Sequence, residues 1–305
     1  GGPSLPPGLP AMASHAELHT AQAIESVRIE SDLFTDRLKA AGALGVRRRV
    51  RISAYSAYAD DGFTLRPLAE GEKRVHLIRH GQGFHNLLGD LYRQMGKKFD
   101  AATGEGRADN PYCRPEAVDP PLTEVGRNQA KALQPTARKL SPELIVVSPL
   151  VRATQTALIA FAHLLEASAS ERVPFVAHEG CHEIAGVHTC DRRRSVDELR
   201  RDFPAIDYEA AAIAQQDPLW SETEREPLPR LAERGFEFLL WIQGRPERDV
   251  VVASHFGWIF TVLNAVIQCE DPKLRLGFLT GEMRSLVLRF EDVDEGTASK
   301  RAKTN

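Results

Sequence analysis

The 305-residue sequence predicts an α/β domain: a three-layer sandwich in which a mostly parallel sheet carries helices on both faces, preceded by an N-terminal extension. Two observations carry that expectation. Runs of four or five residues rich in Val, Ile and Leu, too short to be helices, recur along the chain, and longer stretches with apolar residues three and four apart separate them. Strands buried on both faces read as such continuous apolar runs, and strands that alternate with helices pair in parallel through crossovers. Hydrophobic residues at 42% and charged residues at 27% exclude a wholly disordered, collagen-like or coiled-coil chain.

Residues 1–71 differ in pattern from the rest of the chain and are assigned to the extension, partly helical or disordered. GGPSLPPGLP, as an expression remnant or a processed end would, offers prolines and no apolar block. His15 to Ala41 has helix-forming composition, with Ile24, Val27, Leu33, Phe34 and Leu38 loosely at helical spacing. Arg47, Arg48, Arg49 and Arg51 form a basic knot that reads as a solvated loop or helix end before it reads as an anion site. The extension packs on the main domain or trails from it, and is where a protein partner would dock.

From residue 72 to 292 the chain reads as the catalytic domain, with 293–305 a polar tail. Strands are expected at Val75 to Ile78, Leu144 to Val147, Val173 to Ala177, Val250 to Ala253 and Leu286 to Phe290. Helices are expected from Phe84 to Met95 and over 123–140, 150–166 and 230–243, and Ser195 with Glu198 forms a capping box that opens another. Two regions exceed simple connections. Gly96 to Pro121 reads as an insertion or lid, and Ala177 to Arg201 concentrates His, Cys and Arg beyond a strand end, where α/β folds place recognition loops.

A formal charge of -3 leaves no basic field for nucleic acid. Cys113, Cys181, Cys190 and Cys269 show no CxxC spacing, so a disulfide framework is not expected and a reducing compartment is. Val250 to Ile267 lacks Asp, Glu, Lys and Arg, yet Ser254, His255, Gly257 and Asn264 interrupt it, so a strand feeding a helix is expected there and no membrane span. Glu17, Glu25, Glu30, Asp32 and Asp36 argue against an intact transit peptide. The expected compartment is the cytoplasm, with an organelle reached after removal of a targeting peptide as the alternative.

The chemistry gathers at three strand ends. The first run delivers Arg79 and His80 before Gly81 and Gly83, which permit close backbone approach. The second runs into Ser148-Pro149 and places Arg152 in the first turn of the next helix, and the third ends at Ser254-His255-Phe256-Gly257. Charged groups there need partners or solvent, and a phosphate satisfies two Arg and two His together.

These residues resemble the histidine phosphatase, or phosphoglycerate mutase-like, superfamily. The resemblance rests on Arg79-His80-Gly81 with Asn86, on Leu122 to Gly126 with Gln129-Ala130, on Ser148-Pro149 with Arg152-Ala153 and Thr156-Ala157, and on Ser254 to Gly257. In order along the chain, these motifs span roughly 70% of it. The resemblance implies a phosphoglycerate mutase-like fold, attack by His80 to give a phosphohistidine, and a phosphoryl group held by Arg79, Arg152 and His255, with Asn86 at the pocket edge. It implies no metal and no cofactor, and a carboxylic acid between the second arginine and the second histidine that gives the leaving alcohol its proton. Glu183, three residues before Gly186, matches that acid better than Glu179, though without the aromatic-acidic-Gly pattern of the mutases. The string Gly186-Val187-His188-Thr189-Cys190-Asp191-Arg192-Arg193 resembles a plant and fungal branch.

Arg192, Arg193 and Arg194 form either a solvated run or a recognition element for a second anionic group, to which Lys97 and Lys98 would contribute if the insertion folds over the pocket. His178, Cys181, His182, His188 and Cys190 are zinc-type ligands at spacings that fit no finger or ribbon. His76, His85 and His163 are read as structural or pocket-edge residues. The leading function is a metal-independent phosphatase acting on a small phosphate ester. Mutase-type phosphoryl transfer is one alternative, and a non-catalytic binding or structural subunit that retains the fold is another.

Overall fold

Alternation within the apolar runs decides how the chain is layered. In the computed structural model, which describes residues 21–101, 109–166 and 172–293, Val75, Leu77, Leu144, Val146, Val250 and Val252 enter one core, and Ile78, Ile145, Val147, Val251 and Ala253 enter another. Successive side chains of a strand point to opposite faces, so these runs are the central layer between two cores.

In chain order the elements are α1 (Ala21–Ala40), β1 (Val50–Ser56), β2 (Lys73–Arg79), α2 (Phe84–Gln94), α3 (Glu124–Ala132), α4 (Gln134–Ala137), β3 (Leu144–Val147), α5 (Val151–Ala160), α6 (Ala162–Leu165), β4 (Phe175–Ala177), α7 (Val196–Asp202), α8 (Leu228–Gly244), β5 (Asp249–Ser254), α9 (Phe256–Thr261), β6 (Ile267–Cys269) and β7 (Met283–Asp292). The sheet order is β4-β3-β5-β2-β7-β1-β6, with β7 antiparallel to both neighbours and the other pairings parallel. Helices α1, α8 and α9 cover the first core, and α4, α5 and α7 the second. The chain is thus an α/β three-layer sandwich.

Local chemistry sets the boundaries. Thr123 caps α3 by accepting the Gly126 amide, and Ser195 with Glu198 forms the capping box of α7. The stretch 123–140 divides into α3 and α4 where Pro135 enters the first turn of α4, because proline has no amide to continue a helix. The stretch 150–166 divides at Phe161, and the strand expected from Val173 begins at Phe175.

The segment assigned to the extension differs most from expectation. Val50–Ser56 pairs with β7 from Val50↔Asp292 to Ser56↔Leu286 and with β6 at Ile52↔Ile267, so it is an integral strand of the sheet. Its alternate residues Arg51, Ser53 and Tyr55 are exposed or half-buried, which breaks up the apolar run that marks the central strands. The basic knot is held by carboxylates: Arg49 pairs with Glu237, Arg51 with Glu291, and Arg48 donates to the Ala265 carbonyl and lies 3.7 Å from Glu233. The expected start of the first helix at His15 and most of the C-terminal tail lie outside the described residues. Val250–Ile267 resolves into β5, α9, a π-helical turn and the start of β6, and among the described residues no helix is long and apolar enough to cross a membrane.

Candidate active site

β2, β5 and β3 are adjacent and parallel, so their carboxyl ends arrive side by side at the centre of the sheet. Arg79 is in register with Ser254, and Val147 with Ala253. The ladder runs one residue further, from the His80 amide to Ser254 O at 3.0 Å and from the Ser148 amide to Ala253 O at 2.9 Å. His80, Ser148 and His255 therefore leave the sheet together. Gly81 and Gly126 let the chain turn there: a Cβ at Gly81 would fall 2.4 Å from Gly126 O, and one at Gly126 would fall 2.1 Å from Gln82 O. Thr123 and Gln129 complete the brace with hydrogen bonds to Gln82.

His80 is 2% exposed, and its Nδ1 lies 2.7 Å from Gly81 O. That contact requires the proton on Nδ1 and leaves Nε2 with a lone pair. Arg152, 1% exposed, directs Nε at His80 Nε2 from 3.4 Å, while its Nη1 and Nη2 donate to Cys190 O at 2.7 Å and Asp191 Oδ1 at 2.9 Å. His255 Nε2 is 2.7 Å from Ser148 Oγ, and its ring centroid is 5.0 Å from that of His80. Arg79 donates Nη1 to Phe278 O and lies 4.9 Å over the Phe256 ring. The structure brings these four together. Arg79 Nε, His85 Nδ1, His188 Nε2 and His255 Nδ1 are buried without a hydrogen-bond partner, atoms that an oxyanion could satisfy.

Burial, reinforced by the positive charge of Arg152, holds the imidazoles of His80, His85 and His255 well below the ordinary histidine value. They are neutral near pH 7. Glu183 is pushed up, first by burial and then by the nearby charge of Asp191, while backbone N–H groups oppose the shift. Its Oε1 accepts the Ile184 and Trp258 amides and its Oε2 the Gly257 amide, which sets the carboxyl at the start of α9, directly after His255. Glu179 is engaged with Arg193 Nε at 2.7 Å.

Other expected site residues act on the frame. Asn86 accepts the Gly83 amide and closes the first turn of α2. Arg193, 3% exposed, donates to Glu179 and to the carbonyls of Arg194, Ala214, Gln215 and Gln216, and Arg194 pairs with Asp202 and lies 3.8 Å from Asp119. Arg193 is therefore neither solvated nor turned to a substrate, because a buried guanidinium needs fixed acceptors and has them, and the partly exposed Arg194 is engaged by carboxylates. Arg192 lies 4.8 Å over the Trp220 ring, and Lys97 4.8 Å over Tyr92. His76 bridges Ser285 and Asp249, and His85 is ringed by His80 and Tyr112.

Asp191, which holds Arg152, has no role in the sequence reading. Its Oδ1 accepts Arg152, and its Oδ2 accepts Arg225 at 2.9 Å and lies 3.6 Å from His188 Nδ1, which holds its carboxyl well below the usual range. No spacing could have linked Asp191 to Arg152 and Arg225. His188, Cys190 and Asp191 come within 4.8 Å of one another as metal-type ligands. Two guanidiniums already occupy that carboxylate, and burial pushes the Cys190 thiol well above its ordinary value, so the donor set suits an ion-pair hub better than a cation. His178 packs against both Phe238 and Trp241, and His182 Nδ1 meets Glu183 O. Two surface cavities of about 490 and 390 Å³ contain none of the site groups, which lie under cover.

Residues 105–293 match the histidine phosphatase superfamily (branch 1), a match that begins downstream of Arg79-His80. A phosphoglycerate mutase-like protein of Arabidopsis thaliana is 33% identical over 78% of this chain and 90% of its own length. Phosphoglycerate mutase-like protein 1 of the same plant is 31% identical over 71% and 81%, and phosphomutase-like protein 3 of Candida albicans is 26% identical over 65% and 61%. The extent of the match, together with a plant relative a third identical across most of both chains, settles the family: the chain belongs to the histidine phosphatase superfamily.

Proposed function

We propose that the protein is a metal-independent phosphatase that hydrolyses a small phosphate ester through a phosphohistidine on His80. One observation carries the reading: a neutral His80 with Nδ1 committed to Gly81 O and Nε2 beside Arg152, in a group with Arg79 and His255. Nε2 attacks phosphorus, the P–O bond to the alcohol breaks, and Glu183 supplies the proton the alkoxide needs. Water then attacks the phosphohistidine, Glu183 takes a proton from it, and orthophosphate leaves with His80 restored. The two guanidiniums and His255 would stabilise charge on the equatorial oxygens, where most catalysis of phosphoryl transfer arises. For Glu183 to donate, it must be protonated, which Oε2 allows because it accepts only the Gly257 amide and keeps a second lone pair, and its raised pKa favours the protonated form.

A second reading is supported by the closure of the chamber. His80 and His255 are 2% and 0% exposed, and exclusion of water is what a mutase needs in order to return the phosphoryl group to a bound intermediate. Release of inorganic phosphate from a panel of phosphomonoesters in excess EDTA, compared with His80→Ala, tests the first reading. Release by the parent and none by the variant is expected. No release, with bisphosphate-dependent isomerisation of a phosphomonoester instead, would replace it with the second.

A further inference from the structure

α1 precedes every catalytic strand in the chain, yet it packs against the groups at their carboxyl ends. Phe34, 5% exposed, meets Phe256 and Phe260 edge-on at centroid separations of 6.0 and 5.4 Å. Phe256 directly follows His255 and underlies the Arg79 guanidinium. A Cβ at Gly277 would fall 2.4 Å from Ser31 Oγ and 2.7 Å from Val27 Cγ1, and the next residue, Phe278, gives its carbonyl to Arg79. Val27, Ser31 and Phe34 are thus one layer of side chains from Arg79 and His255. Glu30 of the same helix acts electrostatically on Arg93 and Tyr112, and Tyr112 packs between His85 and His188. α1 therefore reaches from α9 to the aromatic wall beside His80.

Arg37 lies in the next turn. It is half-buried, its guanidinium is 5.0 Å from the centre of the Phe34 ring, and among the described residues it makes no hydrogen bond or ion pair through its side chain. Glu183, Asp100 and Arg225 are within electrostatic range of it, and burial together with Arg225 lowers its pKa from the ordinary arginine value. A guanidinium drawn partly out of water, with no carboxylate in contact and its nitrogens still open to solvent, is free to take an incoming anion. The other basic residues considered for recognition are placed otherwise: Arg193 and Arg194 have fixed acceptors, and Arg192 and Lys97, which also lie over rings, are exposed where Arg37 is half-buried. Glu183 marks the side of the chamber from which the alcohol departs, since its proton goes to the ester oxygen.

We infer that α1 forms a wall of the substrate chamber and that Arg37 is a specificity-determining residue that takes an anionic group on the leaving portion of a phosphomonoester. The inference rests on the phosphatase reading for the placing of the ester. It gives the segment before the catalytic domain a role within its own chain.

The test is equilibrium binding of matched phosphonates to the full chain. Alkyl phosphonates of two to five carbons are compared with ω-carboxyalkyl phosphonates of the same length, which share the phosphonate head and differ in the distal anion. One charge-assisted contact predicts a preference of about tenfold or more for the carboxylate member at one chain length. That ratio collapses toward one in Arg37→Ala and is partly kept in Arg37→Lys, the alkyl member reporting in each variant whether the head site is intact. A parent ratio near one, or a ratio that Arg37→Ala leaves within twofold, would overturn the inference, and a variant that loses both ligands is replaced by Arg37→Gln under the same criterion. Because binding needs no turnover, a protein that fails to release phosphate but keeps an Arg37-dependent ratio would sink the hydrolytic reading alone.

Discussion

A histidine can attack phosphorus only as a neutral imidazole whose attacking nitrogen is free, and both conditions are built around His80 by its neighbours. Burial and Arg152 keep it neutral, and Gly81 O fixes the tautomer. Arg152 is itself placed by Asp191 and Cys190. Removal of Arg152 as Arg152→Ala is expected to lower kcat by about 10²–10³-fold, the range for loss of one charge-stabilising donor, measured by phosphate release. Asp191→Asn leaves Arg152 buried, and Arg225 half-buried, against a neutral side chain and is expected to destabilise by about 3–5 kcal/mol in urea melts. A change under 1 kcal/mol would show that the hub is not what holds Arg152. The pH dependence arises from two shifted groups. His80 must be deprotonated, so the rate is lost as pH falls through its depressed value; Glu183 must be protonated, so the rate is lost as pH rises through its raised value. kcat/KM for an alkyl phosphate is expected to peak on the acid side of neutrality. Glu183→Gln should abolish the alkaline limb and cost about 10²–10⁴-fold with alkyl phosphates, and far less with p-nitrophenyl phosphate, whose leaving group needs no proton. The four central residues were legible because each follows an apolar run that could only be a strand. Asp191 was not, because its partners lie 39 and 34 residues away and an ion pair between loops leaves no period in the sequence.

At the scale of elements, the strands that carry chemistry were those most easily read. Val75 to Ile78, Leu144 to Val147 and Val250 to Ala253 are buried on both faces, and a strand covered on both sides has few polar residues to disguise it, here His76 alone. β1 was hidden by Arg51, Ser53 and Tyr55 on its less covered face, and β6 is only three residues long. A helix within His15 to Ala41 was expected, but what it packs against was not, since Phe34 finds Phe256 and Phe260 more than 200 residues away. Phe34→Ala is expected to destabilise by about 3–5 kcal/mol, the range for truncating a buried aromatic, measured by urea denaturation. A loss below 1 kcal/mol would mean that α1 is not docked on α9. His178 offers a second check at this scale. It accepts the Gly180 amide through Nδ1, and burial, with a smaller contribution from Arg234, lowers its pKa to about 4.

For the whole molecule, the buried neutral histidines link stability to pH. His178 binds its proton near pH 6.5 in the unfolded chain and only near 4 in the folded one, and His80, His85 and His255 shift in the same direction. Over that window the unfolded chain holds more protons, so stability falls as pH drops from about 6.5 toward 4. The melting temperature is expected to decline across that range, and His178→Phe, which keeps a ring against Phe238 and Trp241, should soften the decline. The three-layer architecture was readable from alternation alone, whereas the packing of α1 on α9, of Tyr112 on His85 and His188, and of Arg152 on Asp191 joins segments far apart in the chain. The central claim is a covalent intermediate on His80. Rapid-quench trapping with a phosphate-labelled phenyl phosphate in excess EDTA tests it most directly. An acid-labile, base-stable label on His80 Nε2, absent from His80→Ala, is the predicted result. Turnover without label, label on another residue, or undiminished turnover by His80→Ala would contradict the account.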